Sequence, residues 1–279
     1  MKKILVTTDF SPASKSAIKF AINWSCQQKL QITFLNVHYI LKRASWNESV
    51  LEKYVKKELK EADAKLREFV SEVYNESGVA PGKISTLTIE GLDADVCILD
   101  HVSKNPRYDC ICISTRGAGK FKKILGTNTG NLITRSEIPV MAIPVNYNAT
   151  EITKVMFATD LLNFEEEANQ VIQFARPLKA KIEMIHFAWP NENLFNENLI
   201  NEAFKKHFRY GLELHYEKND AVHSLIEQLD EKIKVSNPSV VVMFTNKKRT
   251  FFQRMFLSSK SEELSFKARV PLLVFNKKN

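Results

Sequence analysis

KKILVTTDFSPASKSAIKFAINWSCQQKLQITFLNVH, residues 2–38, and ITKVMFATDLLNFEEEANQVIQFARPLKAKIEMIHF, residues 152–187, share one layout. Each opens on a short apolar run that ends in Thr-Asp, at Thr8-Asp9 and again at Thr159-Asp160. A polar turn follows, then apolar residues at helical steps, then a second apolar run. A short apolar run followed by a helical period and another run is the start of a βαβ unit. The two Thr-Asp pairs lie 151 residues apart. That period is too long for a solenoid repeat and suits two whole domains. Both halves also close alike, on EIPVMAIP at 137–144 and RVPLLVF at 269–275. The polar stretch 146–150 is the expected connection, with domains at 1–146 and 151–279.

Working outward, the first half reads as five strands alternating with four helices. Strands are expected at 3–8, 31–38, 83–89, 108–114 and 139–143. Ser11 is placed to cap the first helix, with Pro12 in its first turn. A long helix at 48–74 carries Leu51, Leu59, Ala62, Leu66, Val70 and Val73 at three- and four-residue steps. Gly91 opens the turn before a helix holding Val96, Ile98, Leu99 and Val102. In the second half, strands are expected at 153–158, 180–187, 212–216, 240–245 and 270–275. Asn163 with Glu166 reads as a capping box, and Asp220 as the cap of a helix holding Val222, Leu225, Ile226 and Leu229. Short apolar strands alternating with helices imply a parallel sheet covered on both faces, an α/β doubly wound domain repeated twice. Pattern alone leaves a Rossmann-like and a flavodoxin-like strand order both open.

Composition narrows the class of protein. The 279 residues are 44% hydrophobic and 26% charged, which excludes wholesale disorder. The opening MKKILVTTDFSP meets Asp9 too soon for an export signal, and no apolar run is long enough to span a membrane. The four cysteines, Cys26, Cys97, Cys110 and Cys112, are too few for a disulfide scaffold and read as free thiols in a reducing, cytoplasmic setting. Cys110 and Cys112 fall on one face of a strand and are expected in the core. The net charge of +8 divides as +6 over residues 1–150 (21 basic, 15 acidic) and +2 over the rest (19 and 17). That mixed excess permits anionic ligands and gives no footprint for nucleic acid.

Ligands of doubly wound sheets bind beyond the carboxyl ends of the strands, at the point where the strand order reverses. Three segments of the first half converge there. Thr7-Thr8-Asp9-Phe10 ends the first strand, and Asp9 can accept ligand hydroxyls. Asn36-Val37-His38 ends the second, where backbone can read a purine edge. STRGAGKFKKILGTNT at 114–129 is a Gly-rich, Lys-rich loop before a helix. Its Gly117 and Gly119 free the backbone to approach a ligand, and Gly126 and Thr127 introduce a helix start that favours phosphate. Thr127 and Thr129 add hydroxyls. The loop lacks the G-K-[ST] of a Walker motif. The matching segment 245–260 of the second half has no glycine, and Gly211 is the only glycine after residue 150. Its Phe251, Phe252, Met255 and Phe256 suit packing or partner contact. No esterase triad spacing and no zinc-type His pair is present.

VTTDFSPASKSAIKFA together with STRGAGKFKKILGTNTGNLITRSEIPVMAIP resembles the opening and closing signatures of the universal stress protein family. The resemblance covers nearly the whole chain as two tandem domains. It implies a five-stranded parallel sheet of order 3-2-1-4-5 in each domain, pairing of the two as an internal pseudo-dimer, and homodimer or client contacts. Some members bind ATP, through a pattern G-x2-G-x9-G-[ST]. Here Ser114 stands at the first glycine, Gly117 matches the second, and eight residues separate it from Gly126. By resemblance, Asp9 and Val37 would meet the adenosine, and Gly117, Gly126, Thr127 and Asn128 the phosphates of ATP with Mg²⁺. No nucleotide is expected in the second domain. The resulting expectation is a stress-response protein acting by nucleotide-dependent regulation or protein interaction. A non-nucleotide scaffold and a weak ATPase are the alternatives.

Overall fold

The computed structural model describes residues 1–43, 45–115, 126–145, 147–188, 196–220, 222–245 and 269–276. Gly117, Gly119 and the segment 246–268 lie outside the described residues. The chain divides into two compact units, the first ending at Ala149 and the second starting at Thr150.

The first unit runs β1 (Lys3–Thr7), α1 (Pro12–Gln27), β2 (Gln31–His38), α2 (Glu48–Glu76), β3 (Ser85–Glu90), α3 (Ala94–Lys104), β4 (Cys110–Ser114), α4 (Thr127–Arg135) and β5 (Val140–Ile143). All neighbours pair in parallel, in the order β3-β2-β1-β4-β5. This is the flavodoxin-like alternative. The first two crossovers step from β1 toward β3, and the last two step from β3 back across to β4 and β5. Right-handed connections running in opposite directions put their helices on opposite faces. Accordingly α1 packs beside α2, and α3 beside α4. Strands covered on both faces are apolar throughout: Ile4, Leu5, Val6, Ile111 and Met141 are all fully buried.

Local chemistry explains the boundaries. Ser11 caps α1 by accepting from Ser14 N at 3.3 Å, with Pro12 in the first turn, as expected. Asn47 caps α2 through Val50 N at 2.9 Å. The free thiols Cys110 and Cys112 are both in the core, and the Cys112 thiol is held well above its ordinary pKa by its hydrogen bond with Cys110 and by burial.

The second unit runs β6 (Lys154–Ala158), α5 (Phe164–Ala175), β7 (Lys181–Ala188), α6 (Glu197–Phe208), β8 (Leu212–Lys218), α7 (Leu225–Ser236), β9 (Val240–Thr245) and β10 (Leu272–Asn276). Its strands also pair in parallel, in the order β10-β9-β6-β7-β8. Two capping expectations are corrected here. Asn163 stands at the start of α5 with φ −129° and ψ 41° and makes no side-chain cap bond. That backbone does not aim its amide at the first turn. The reciprocal box forms instead at α7, between Ser224 and Glu227. Asp220 belongs to the preceding turn, where it accepts from Val222 N at 2.8 Å, and Val222 is 85% exposed rather than part of an apolar face.

The free edge of β8 is covered by side chains. Asn201 of α6 both donates to Leu214 O (3.2 Å) and accepts from Leu214 N (2.7 Å), and Glu197 accepts from Tyr216 N (2.8 Å). One amide thereby substitutes for a neighbouring strand, which blunts an edge open to further pairing.

Candidate functional site

The switch point of the first unit lies between β1 and β4, which pair through Val6 and Cys112. Beyond them the chain leaves toward opposite faces, so a crevice opens at their carboxyl ends. Thr8 N still bonds Leu35 O at 2.9 Å, and then the backbone turns sharply. Phe10 takes a left-handed φ of 63°, unfavourable for a bulky residue. It is held there by Phe10 N donating to Thr8 Oγ1 at 3.1 Å and by edge-on packing of its ring against Phe69 at 5.5 Å. Asp9, exposed, anchors the turn by accepting from Ser11 N at 3.0 Å and from the Ser11 hydroxyl.

On the other side, Thr115 N bonds Ile143 O at 2.8 Å, and Gly126 N bonds Thr115 O at 2.6 Å. Gly126 is thus drawn back against the end of β4 and becomes the N-cap of α4, with φ −58° and ψ 157° and no side chain to cap the helix. The first-turn N–H groups of an uncapped helix carry partial positive charge and suit an anion. Thr127 and Asn128 are exposed at that start. Thr129 is not available: it is buried, and its hydroxyl donates to Ser114 O at 2.9 Å, which corrects its assignment as a ligand donor. Ser114 Oγ is buried at the same strand end without a hydrogen-bond partner among the described residues.

Val37 sits next to Gly91, where an added Cβ would lie 3.3 Å from Val37 Cγ1. His38 lies 3.8 Å from Glu58 of α2. Asp9 therefore follows the carboxyl end of β1, Gly126, Thr127 and Asn128 start α4 beside the carboxyl end of the adjacent β4, and Val37 stands on β2, the other neighbour of β1. Gly117 lies outside the described residues.

Two supporting residues escaped the sequence reading. Asp95, in the first turn of α3, is buried and accepts from Asn131 Nδ2 at 2.8 Å, with Arg135 Nη1 at 3.7 Å; both partners are on α4. It ties α4 to α3. Asn36 donates from Nδ2 to Thr8 O at 2.9 Å and braces the Asp9 turn from below. An amide inside the apolar run ITFLNV was the available signal for Asn36. Asp95 carried none beyond being acidic near a helix start.

The second unit repeats the turn almost bond for bond. Thr159 N bonds Ile185 O at 3.0 Å, Leu161 has φ 61°, Leu161 N donates to Thr159 Oγ1 at 3.0 Å, and Leu162 N donates to Asp160 Oδ1 at 3.2 Å. His186 takes the place of Asn36, with Nδ1 donating to Thr159 O at 3.0 Å. No group of three or more His, Cys, Asp or Glu among the described residues is arranged to hold a metal ion. No described helix is long and apolar enough to cross a membrane.

Fold and crevice together define a doubly wound parallel α/β protein. The profile of the universal stress protein family matches residues 1–144, and the chain belongs to that family. A crystal structure of a universal stress protein from Archaeoglobus fulgidus is similar over 99% of this chain and 97% of its own, with 19% identity and a TM-score of 0.71. A functionally unknown protein from Pseudomonas aeruginosa is similar over 99% of this chain and 92% of its own, with 16% identity and a TM-score of 0.57. The similarity of fold to the Archaeoglobus protein extends over both units, whereas the family profile matches the first. No curated protein matches the chain.

Proposed function

We propose that the first unit binds an adenine nucleotide at the β1/β4 crevice and that the protein acts in the stress response as a nucleotide-dependent regulator. The observation that carries this is the bare start of α4. Gly126 caps the helix without a side chain and is held against β4 by its bond to Thr115, so no side-chain cap among the described residues competes with a phosphate for the first-turn N–H groups. Asp9 would accept ribose hydroxyls, backbone near Val37 would meet the base, and Thr127 and Asn128 would add donors to the phosphates. Mg²⁺ would be carried mainly by the phosphate oxygens, as is usual for that ion. The second unit is read as the degenerate copy. Its order from β8 inward repeats the ranks 3-2-1-4-5, its Asp160 turn is kept, and its loop 245–260 has no glycine. Its role is structural or partner-binding. Regulation without turnover is the reading adopted because Asp9, the one carboxylate assigned to the crevice, is engaged by Ser11 and is given the role of ribose acceptor rather than base. The four free thiols suit a cytoplasmic setting.

Calorimetric titration of ATP into the full chain tests this. Asp9→Ala and Gly126→Val should each weaken binding about tenfold or more, the loss of one or two charge-assisted hydrogen bonds. Undiminished affinity in both variants refutes the assigned site. Native mass spectrometry of the purified protein should find the nucleotide with one site per chain.

A further inference from the structure

The layer between α2 and the β2–β3 pair holds a group of polar side chains. Phe34, Asn36 and His38 share one face of β2, and that face looks toward α2: Phe34 packs edge-on against Tyr74 at 6.2 Å, and His38 lies near Glu58. Thr86 and Thr88 of β3 stand in register with Phe34 and Asn36 and present their side chains to the same face. Thr86 is fully engaged. Its hydroxyl donates to Asp63 Oδ2 of α2 at 3.1 Å and accepts from Arg67 Nη2 at 2.9 Å.

Three other oxygens of this layer are buried without a hydrogen-bond partner among the described residues: Asn36 Oδ1, Thr88 Oγ1 and Asp63 Oδ1. Asn36 as a whole is only 4% exposed. Buried polar atoms in folded proteins are paired, with protein or with ordered water, because an orphan loses its hydration for nothing in return. Rotating the Asn36 amide does not help, because its Nδ2 already donates to Thr8 O and a carbonyl can only accept. Asn36 Oδ1 is therefore an acceptor, and so is Asp63 Oδ1, whose carboxylate accepts from Thr86 and lies 3.8 Å from Arg67, which leaves Thr88 as the donor. Two acceptors and one donor are the complement of a single water molecule, which has two O–H groups and lone pairs to accept with. Three oxygens are too few for a calcium- or magnesium-type shell of six or more. On α2 the core position between Glu58 and Leu66 is the small residue Ala62, itself buried, so the helix intrudes least at this level.

We propose that an internal water molecule occupies this layer, donating to Asn36 Oδ1 and Asp63 Oδ1 and accepting from Thr88 Oγ1. It completes a strut from α2 through Asn36 to the Thr8 carbonyl, directly under the Asp9 turn. The strut belongs to the folded chain whether or not a nucleotide binds. In the second unit an imidazole, His186, makes the corresponding bond to the turn.

The test is the sign of a stability change in the full chain. Thr88→Val removes the hydroxyl at nearly constant shape. With the water in place it takes away the water's donor, and Tm falls by about 2–4 °C. A rise in Tm, the result of deleting an idle buried hydroxyl, overturns the proposal. A high-resolution crystal structure of the wild-type chain should show one peak within hydrogen-bond distance of all three oxygens; the absence of that peak overturns it. Exchanging NaCl for KCl or choline chloride should leave Tm unchanged. A cation-specific shift would identify an ion and overturn the water assignment.

Discussion

Asp95→Ala should loosen α4, the helix whose start would meet the phosphates in the proposed site. The Asp95 side chain is 8% exposed and receives a 2.8 Å hydrogen bond from Asn131, so the variant loses a charge-assisted bond of about 1.5–3 kcal/mol. It also loses a carboxylate from the first turn of α3, about 0.3–1 kcal/mol. Arg135 adds little, because it is 56% exposed and 3.7 Å away and stays solvated when the partner is gone. The total is about 2–4 kcal/mol, and Tm of the first unit should fall by about 5–15 °C. Asp95→Asn keeps an acceptor for Asn131 and loses only the charge, so it should fall about half as far. Differential scanning calorimetry of both variants, with Asn131→Ala to close a double-mutant cycle, measures the coupling. A coupling of about 1 kcal/mol or more is expected for two side chains in direct contact. If Asp95→Ala stays within about 0.5 kcal/mol of wild type, the tie between α3 and α4 is not what holds α4 in place.

A Cβ at Gly91 would lie 2.1 Å from Cys97 Sγ, so Gly91→Ala should destabilise by about 1–3 kcal/mol, and Cys97→Ala in the same chain should restore most of it in a denaturant titration. Asn201→Ala strips both bonds from Leu214 at the β8 edge and should lower stability of the second unit by about 1–2 kcal/mol, with more aggregation seen by light scattering. Lys15 and Lys19, 2.6 and 2.9 Å away, hold the Glu76 carboxyl down to about 2. A depressed carboxylate contributes stability that is complete above its unfolded pKa near 4.5 and is lost as pH falls toward 2. Glu76→Gln should therefore flatten the acid limb of the stability curve over that window, and the effect should be small, because Glu76 is 41% exposed. An unchanged acid limb would show that the pair contributes nothing.

Most of the fold was legible because its causes are local. The period change from strand to helix, Ser11 with Pro12 at the start of α1, and Pro177 just beyond α5 act over a few residues. So did the pairing of Thr8-Asp9 with Thr159-Asp160, whose turns share a positive φ at Phe10 and Leu161. Capping was less legible. Asn163 with Glu166 and Ser224 with Glu227 both fit the sequence signature, yet only Ser224 has the extended backbone (φ −65°, ψ 153°) that aims a cap at the first turn.

By itself, the amino-acid order determined two α/β halves, a Gly-rich segment after the fourth strand in the first only, and a Thr-Asp pair at the end of the first strand of each. These follow from side-chain type, spacing and backbone freedom along one stretch of chain. Pattern left two strand orders open, and the order β3-β2-β1-β4-β5 was expected only through the family resemblance; tertiary structure alone decided that the Thr129 hydroxyl serves Ser114 O, that Asp95 ties α3 to α4, and that Asn36 braces the Asp9 turn. Those contacts join residues 15, 36 and 28 positions apart, and a hydrogen bond across such a separation exists only once the sheet has brought its ends together.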